Sequence, residues 1–149
     1  NKRLIGFGRY AGLVGAYNGF RGFGIKYDLF QLPKAETLSG KEDLIARIKR
    51  QTLPNIKIVV TGHGKVGLGV KEILDGVKIK EVSPEDFLTK NFSEPVYTQI
   101  DLMDYNKRKD GASGSKQDFY ANPQDYTSDF GRFTKAADIY MEFPPPLYP

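Results

Sequence analysis

The stretch with the most chemical content is Thr61-Gly62-His63-Gly64-Lys65-Val66-Gly67, where the glycines fall in the order G-x-G-x-x-G. That spacing suits the pyrophosphate of a dinucleotide. The first glycine permits a tight turn, the second has no Cβ to hold a phosphate off the backbone, and the third lets a helix press on a strand. The N–H groups that open such a helix have no intrahelical acceptor and carry the positive end of its dipole, so they attract anions. Lys65 would add a point charge. Glu81, about twenty residues on, is spaced as the carboxylate that receives an adenosine ribose. It would also repel the extra phosphate of NADP, so NAD is the expected cofactor and NADP the second choice. Lys78 and Lys80 qualify this: with Glu81 turned away, a lysine there would welcome a phosphate.

Other chemistry is narrowed by what the chain lacks. It has no cysteine and a single histidine, so disulfides, thiolate metal sites, cysteine nucleophiles and histidine clusters are excluded. His63 lies inside the phosphate turn. The nicotinamide end of a dinucleotide is far from that turn, so His63 reads as a contact residue rather than a general base. A mononucleotide P-loop is excluded, because no Gly-Lys-Ser/Thr follows Gly62 at the required offset. A methyltransferase adenosine site would want an acid just before the glycines, where Val60 and Thr61 stand.

The glycine turn needs a strand before it and a helix after it. Ile56, Ile58, Val59 and Val60 form a β-branched run suited to a parallel strand covered on both faces. Residues 65–75 follow as a helix with Val66, Val70, Ile73 and Leu74 on one side. A second strand is expected over 77–82, a third over 96–100 and a fourth over 138–141. Ser83, Pro84 and Asp86 mark a helix start, continuing to about residue 90 with Phe87 and Leu88 turned inward. Asp101 and Leu102, after the third strand, would lie by the adenine. Residues 105–126 are polar and aperiodic and read as a loop inserted over the sheet edge. A short helix is expected over 128–136. The proline-rich end, 142–149, cannot continue a central strand.

These units define an α/β fold, a doubly wound parallel sheet in order 3-2-1-4, Rossmann-like and stopping short of the usual six strands. A helical lead-in occupies residues 1–53, and the dinucleotide-binding domain 54–149. The lead-in opens with a helix over 3–24, in which Gly8, Gly12, Gly15, Gly19 and Gly22 share one stripe. Each costs about 1 kcal/mol relative to alanine, so the stripe must admit another backbone. Arg3, Arg9, Asn18 and Arg21 argue against a membrane span. A second helix is expected over 41–51, begun by a capping box of Ser39 and Glu42 and lying on the surface.

The chain has 149 residues, 40% of them hydrophobic, and a net charge of +4. That describes one globular domain with a modest preference for anionic ligands. Lys107-Arg108-Lys109 reads as a solvated cluster rather than a nucleic-acid contact. A cytoplasmic protein is the simplest expectation. An unfinished sheet leaves an open edge, which favours a homodimer or a partner domain.

Two segments resemble the alanine dehydrogenase family, which includes the lysine-forming saccharopine dehydrogenases and the transhydrogenase dinucleotide domains. Phe7-Gly8-Arg9-Tyr10-Ala11-Gly12-Leu13-Val14-Gly15-Ala16-Tyr17 is similar to the helix entering the dinucleotide domain, especially in the saccharopine branch. Asp129-Phe130-Gly131-Arg132-Phe133-Thr134-Lys135-Ala136-Ala137-Asp138-Ile139 resembles a later helix and strand. Glu81 departs from the family, which usually has Asp there. The resemblance implies the NAD(P)-binding half of an amino-acid dehydrogenase that works by hydride transfer. It also implies that the catalytic residues belong to a substrate domain with no counterpart here. A regulatory Rossmann module that senses NAD or another adenine nucleotide, as in potassium-channel regulatory domains, would use the same turn. The glycine-striped helix favours the enzyme.

Overall fold

A computed structural model describes residues 6–141. The expectations placed on residues 3–5 and on the proline-rich end lie outside them. The first helix, α1 (Gly8–Lys26), is followed by α2 (Lys41–Lys49), β1 (Lys57–Thr61) and α3 (Lys65–Gly76). Next come β2 (Lys80–Glu81), α4 (Pro84–Thr89), β3 (Val96–Ile100) and α5 (Leu102–Tyr105). The chain then runs through β4 (Asn106–Arg108), α6 (Lys116–Ala121), β5 (Tyr126–Ser128), α7 (Gly131–Ala136) and β6 (Ile139–Met141).

The main sheet is parallel, with strands in the order β2-β3-β1-β6. Counted in chain order the strands run 2-3-1-4, not the expected 3-2-1-4: the second and third are exchanged. Burial explains the exchange. A strand held between two others is covered on both faces, and Val96, Tyr97, Thr98 and Ile100 of β3 are all fully buried. Lys80 and Glu81 are both exposed and charged, which suits a short edge strand. The second strand is also shorter than the expected 77–82. Val77 caps α3, and Lys78 has φ +70°.

Alternation along β1 divides the core in two. Ile58 and Val60 join Tyr17, Phe20, Val70, Ile73 and Leu74 beneath α1 and α3. Val59 packs on the other side with Phe87 of α4, Ile100 and Phe133 of α7. Helices therefore cover both faces, as expected for a doubly wound sheet. α2 is less superficial than its narrow stripe suggests, since Leu44 and Ile48 are buried. Its start also differs from the expected box: the Ser39 N–H and hydroxyl donate to Asp43, at 3.2 and 3.3 Å, not to Glu42.

The glycine stripe of α1 brings backbone to backbone. A Cβ on Gly12 would lie 2.0 Å from the Val66 carbonyl oxygen, and one on Gly69 would lie 2.1 Å from the Arg9 carbonyl oxygen. Gly19 instead faces the Met141 side chain, and Gly22 faces open space. Arg9 fixes the rotation of the helix pair by a two-pronged pair with Glu72, both N···O distances being 2.7 Å. The Tyr17 hydroxyl donates to the Pro33 carbonyl at 2.6 Å, tying α1 to the following segment.

One core hydroxyl is at odds with its surroundings. Thr98 is fully buried, and its Oγ1 meets no hydrogen-bond partner among the described residues. An unpaired buried hydroxyl costs about 1–3 kcal/mol. Thr98→Val, nearly isosteric, is therefore expected to raise the denaturant midpoint. A lower midpoint would reveal a partner for the hydroxyl.

Candidate functional site: the glycine turn and the end of β3

The carboxyl ends of parallel strands are where ligands bind in open α/β sheets. β1 and β3, the two central strands, end there together: Thr61 pairs with Ile100, and the Gly62 N–H donates to the Ile100 carbonyl at 2.8 Å. Gly62 turns with φ +90°, a conformation that favours glycine. Its carbonyl accepts from Gln99 Nε2 at 2.7 Å. A Cβ on Gly67 would lie 2.3 Å from that same carbonyl oxygen, whereas one on Gly64 would meet nothing within 4 Å. One glycine turns the chain, one lets α3 close on the turn, and one leaves room above the first N–H groups of α3. These residues fit a pyrophosphate.

His63, Gly64 and Lys65 are exposed at the turn, Val66 is half-buried and Gly67 is buried. Asp101 and Leu102 come to the same corner, directly after Ile100. The structure does not bring Glu81 there. Glu81 pairs with Tyr97, which is level with Ile58, several residues back from the turn. Its carboxylate is held by Lys71 and by the Tyr97 hydroxyl. That hydroxyl lies 2.7 Å from both Lys71 Nζ and Asp75 Oδ1. The acid at the end of the strand beside β1 is therefore Asp101.

Asp101 is heavily engaged. It caps α5 by accepting from the Met103 N–H at 2.8 Å, and its own N–H donates to Asp104 at 2.7 Å. Its second oxygen lies 2.9 Å from Lys116 Nζ. Burial pushes the Asp101 carboxyl up. The Lys116 ammonium and the Met103 N–H, with a smaller contribution from His63, outweigh this and leave it below the usual carboxylate range.

Lys116 belongs to the polar stretch expected as a loop. That stretch is folded: β4 and β5 pair antiparallel, and α6 lies between them. Ser115 caps α6 by accepting from the Asp118 N–H at 3.1 Å, a Ser-x-x-Asp signal legible in the sequence. Gln99 and Lys116 are the site residues that sequence reasoning missed. The basic cluster is spent internally. Arg108 holds Asp110 and Asp118 at 2.6 and 2.5 Å, Lys109 donates to the Gln124 carbonyl at 2.7 Å, and Lys107 lies 3.9 Å from Asp129.

This unit should be sensitive to acid. The Arg108 guanidinium and the Ala112 N–H hold Asp110 down at about 2. The Tyr126 hydroxyl, Asn122 and Arg108 lower Asp118. Lowered carboxyls stabilise the fold above their ordinary range, and that stability is lost as protonation reaches the folded form. Amide exchange over 106–128, corrected for its intrinsic rate, should therefore accelerate relative to β1 as pH falls from about 4 to 2. A constant ratio would contradict this.

Two concavities, about 520 and 370 Å³, lie along α1, sharing Val14 and Ala35 in their linings, rather than at the turn. No group of His, Cys, Asp and Glu among the described residues could hold a metal ion. No helix among them is long and apolar enough to cross a membrane.

The fold and turn define a Rossmann-like α/β unit with a long first helix. No family model matches the chain. It is 26% identical to α-aminoadipic semialdehyde synthase of Arabidopsis thaliana, over an alignment covering 87% of this chain. The aligned part spans 15% of that protein. The similarity relates the chain, distantly, to an enzyme.

Proposed function

We propose that this chain is the NAD(P)-binding portion of an amino-acid dehydrogenase, a reading that reaches beyond its distant similarity to α-aminoadipic semialdehyde synthase. One observation carries it: the turn at the carboxyl ends of the central strands has its open space over Gly64, with the start of α3 beneath. Gly62, Gly64, Lys65, Val66 and Gly67 would hold the pyrophosphate, with His63 at its edge. Asp101 and Leu102 would stand at the adenosine end, in the role the sequence suggested for Glu81. A bound nicotinamide cofactor would supply or accept the hydride. The residues here bind and orient, and the substrate domain and its catalytic groups belong to the remainder of a longer protein. Pairing of two copies along an open sheet edge is part of the same proposal.

Calorimetric titration with NAD, NADH, NADP and NADPH tests this, with S-adenosylmethionine as the rival ligand. Saturable binding of a dinucleotide, undisturbed by Glu81→Ala, is the expected result. Binding of none, or of S-adenosylmethionine instead, would overturn it.

A further inference from the structure

The larger concavity beside α1, about 520 Å³, shares no lining residue with the glycine turn. Its volume is in the range of small-molecule pockets. One wall is α1, with Val14, Asn18, Arg21 and Gly22; the other is the segment that follows, with Lys34, Ala35 and Glu36. Two ties join the walls. The Tyr17 hydroxyl donates to the Pro33 carbonyl at 2.6 Å, and Arg21 Nε donates to the Leu32 carbonyl at 3.1 Å.

The charges in this concavity are uncommitted. In the neighbouring one Arg9 and Lys41 both hold Glu72. Among the described residues, by contrast, no ion pair takes Arg21, Lys34 or Glu36, and no hydrogen bond takes the Asn18 side chain. Arg21 is anchored through Nε, so its two terminal nitrogens form a planar fork of the shape that takes a carboxylate by paired hydrogen bonds. Lys34 adds a second positive charge and Glu36 a negative one. Cations and an anion that line one space without neutralising each other suit a ligand that carries both charges. Gly22 leaves the floor open, since a Cβ there would meet nothing within 4 Å. A glycine inside a helix costs about 1 kcal/mol relative to alanine, and no close packing offsets that cost here.

We infer that this concavity binds a free α-amino acid, its carboxylate on the Arg21 fork beside Lys34, its ammonium on Glu36 and an aliphatic side chain against Val14 and Ala35. The site lies along α1 rather than at the carboxyl ends of the strands, so the amino acid held here is an effector and not a substrate. Nothing in this inference depends on the dinucleotide reading of the turn.

Nuclear magnetic resonance of the full chain, labelled with ¹⁵N and titrated with L-leucine, tests it in the absence of any nucleotide. Saturable shifts centred on the amides of Gly22 and residues 34–36 are expected. N-acetyl-L-leucine lacks the ammonium and L-leucinamide lacks the carboxylate, so each should bind roughly fivefold more weakly. Arg21→Gln should weaken leucine binding about tenfold, as for loss of a charged hydrogen bond. Glu36→Gln should erase the preference for leucine over its N-acetyl form. Gly22→Ala should fold at least as well as the parent and still bind leucine more weakly, which separates loss of the site from loss of the fold. No saturable shifts, shifts centred elsewhere, or a preference unmoved by Glu36→Gln would overturn the inference. The proposed function would stand in each case, because dinucleotide titration reads it separately.

Discussion

Gly12→Ala is expected to cost about 3 kcal/mol and to lower the melting temperature by roughly 10 °C. The added Cβ would fall 2.0 Å from the Val66 carbonyl oxygen, 2.9 Å from the Val70 nitrogen and 3.0 Å from the Gly69 Cα. All three are backbone atoms of α3, so no side chain can swing aside. The helices would have to separate, and the Arg9–Glu72 pair and the core beneath them would loosen together. Gly22→Ala in the same helix is the control. Nothing lies within 4 Å of its Cβ position, so the better helix propensity of alanine should raise stability by about 0.5–1 kcal/mol. Thermal denaturation followed by circular dichroism reads both. Midpoints that move in the same direction would mean that the helix pair is not in close backbone contact.

Gly64→Ala is expected to leave folding intact and to weaken dinucleotide binding by roughly tenfold to a hundredfold. Gly64 has φ −79° and ψ −169°, extended backbone that alanine also adopts, and its Cβ position is open. The methyl would occupy the space proposed for the phosphates and hold them off the N–H groups of α3. Gly67→Ala provides the contrast. Its Cβ would meet the Gly62 carbonyl oxygen at 2.3 Å, so stability and binding should fall together. Melting and titration of the same samples separate the two effects. Unchanged affinity in Gly64→Ala would mean that no phosphate approaches the turn at that residue.

The turn, α3, β3 and the Ser83 cap were legible because each has a local cause: glycine spacing, an apolar face, a β-branched run, a hydroxyl followed by an acid. Strand order was not, because a run of residues declares a strand without declaring its neighbour. The usable clue was one of charge. Lys80 and Glu81 cannot occupy a doubly covered position, whereas Val96, Tyr97 and Ile100 can. The same exchange moves the acid proposed to face the ribose, since it follows whichever strand lies beside β1. The insertion was harder still. Its strands are three residues long, too short for an alternation to register, and they are assembled by contacts among Arg108, Asp118 and Tyr126 that no spacing rule anticipates. Lys116 was hidden for the same reason.

The glycines that let α1 touch α3 also set when α1 can exist. Gly8, Gly12, Gly15, Gly19, Gly22 and Gly24 all lie within it, and a free helix so composed is unstable in water. During synthesis this segment would leave the ribosome with its backbone partner not yet made. It would stay unhelical until α3 had emerged. α1 and the start of α3 would then become ordered in one event, and the glycine turn would be set at the moment the first helix forms.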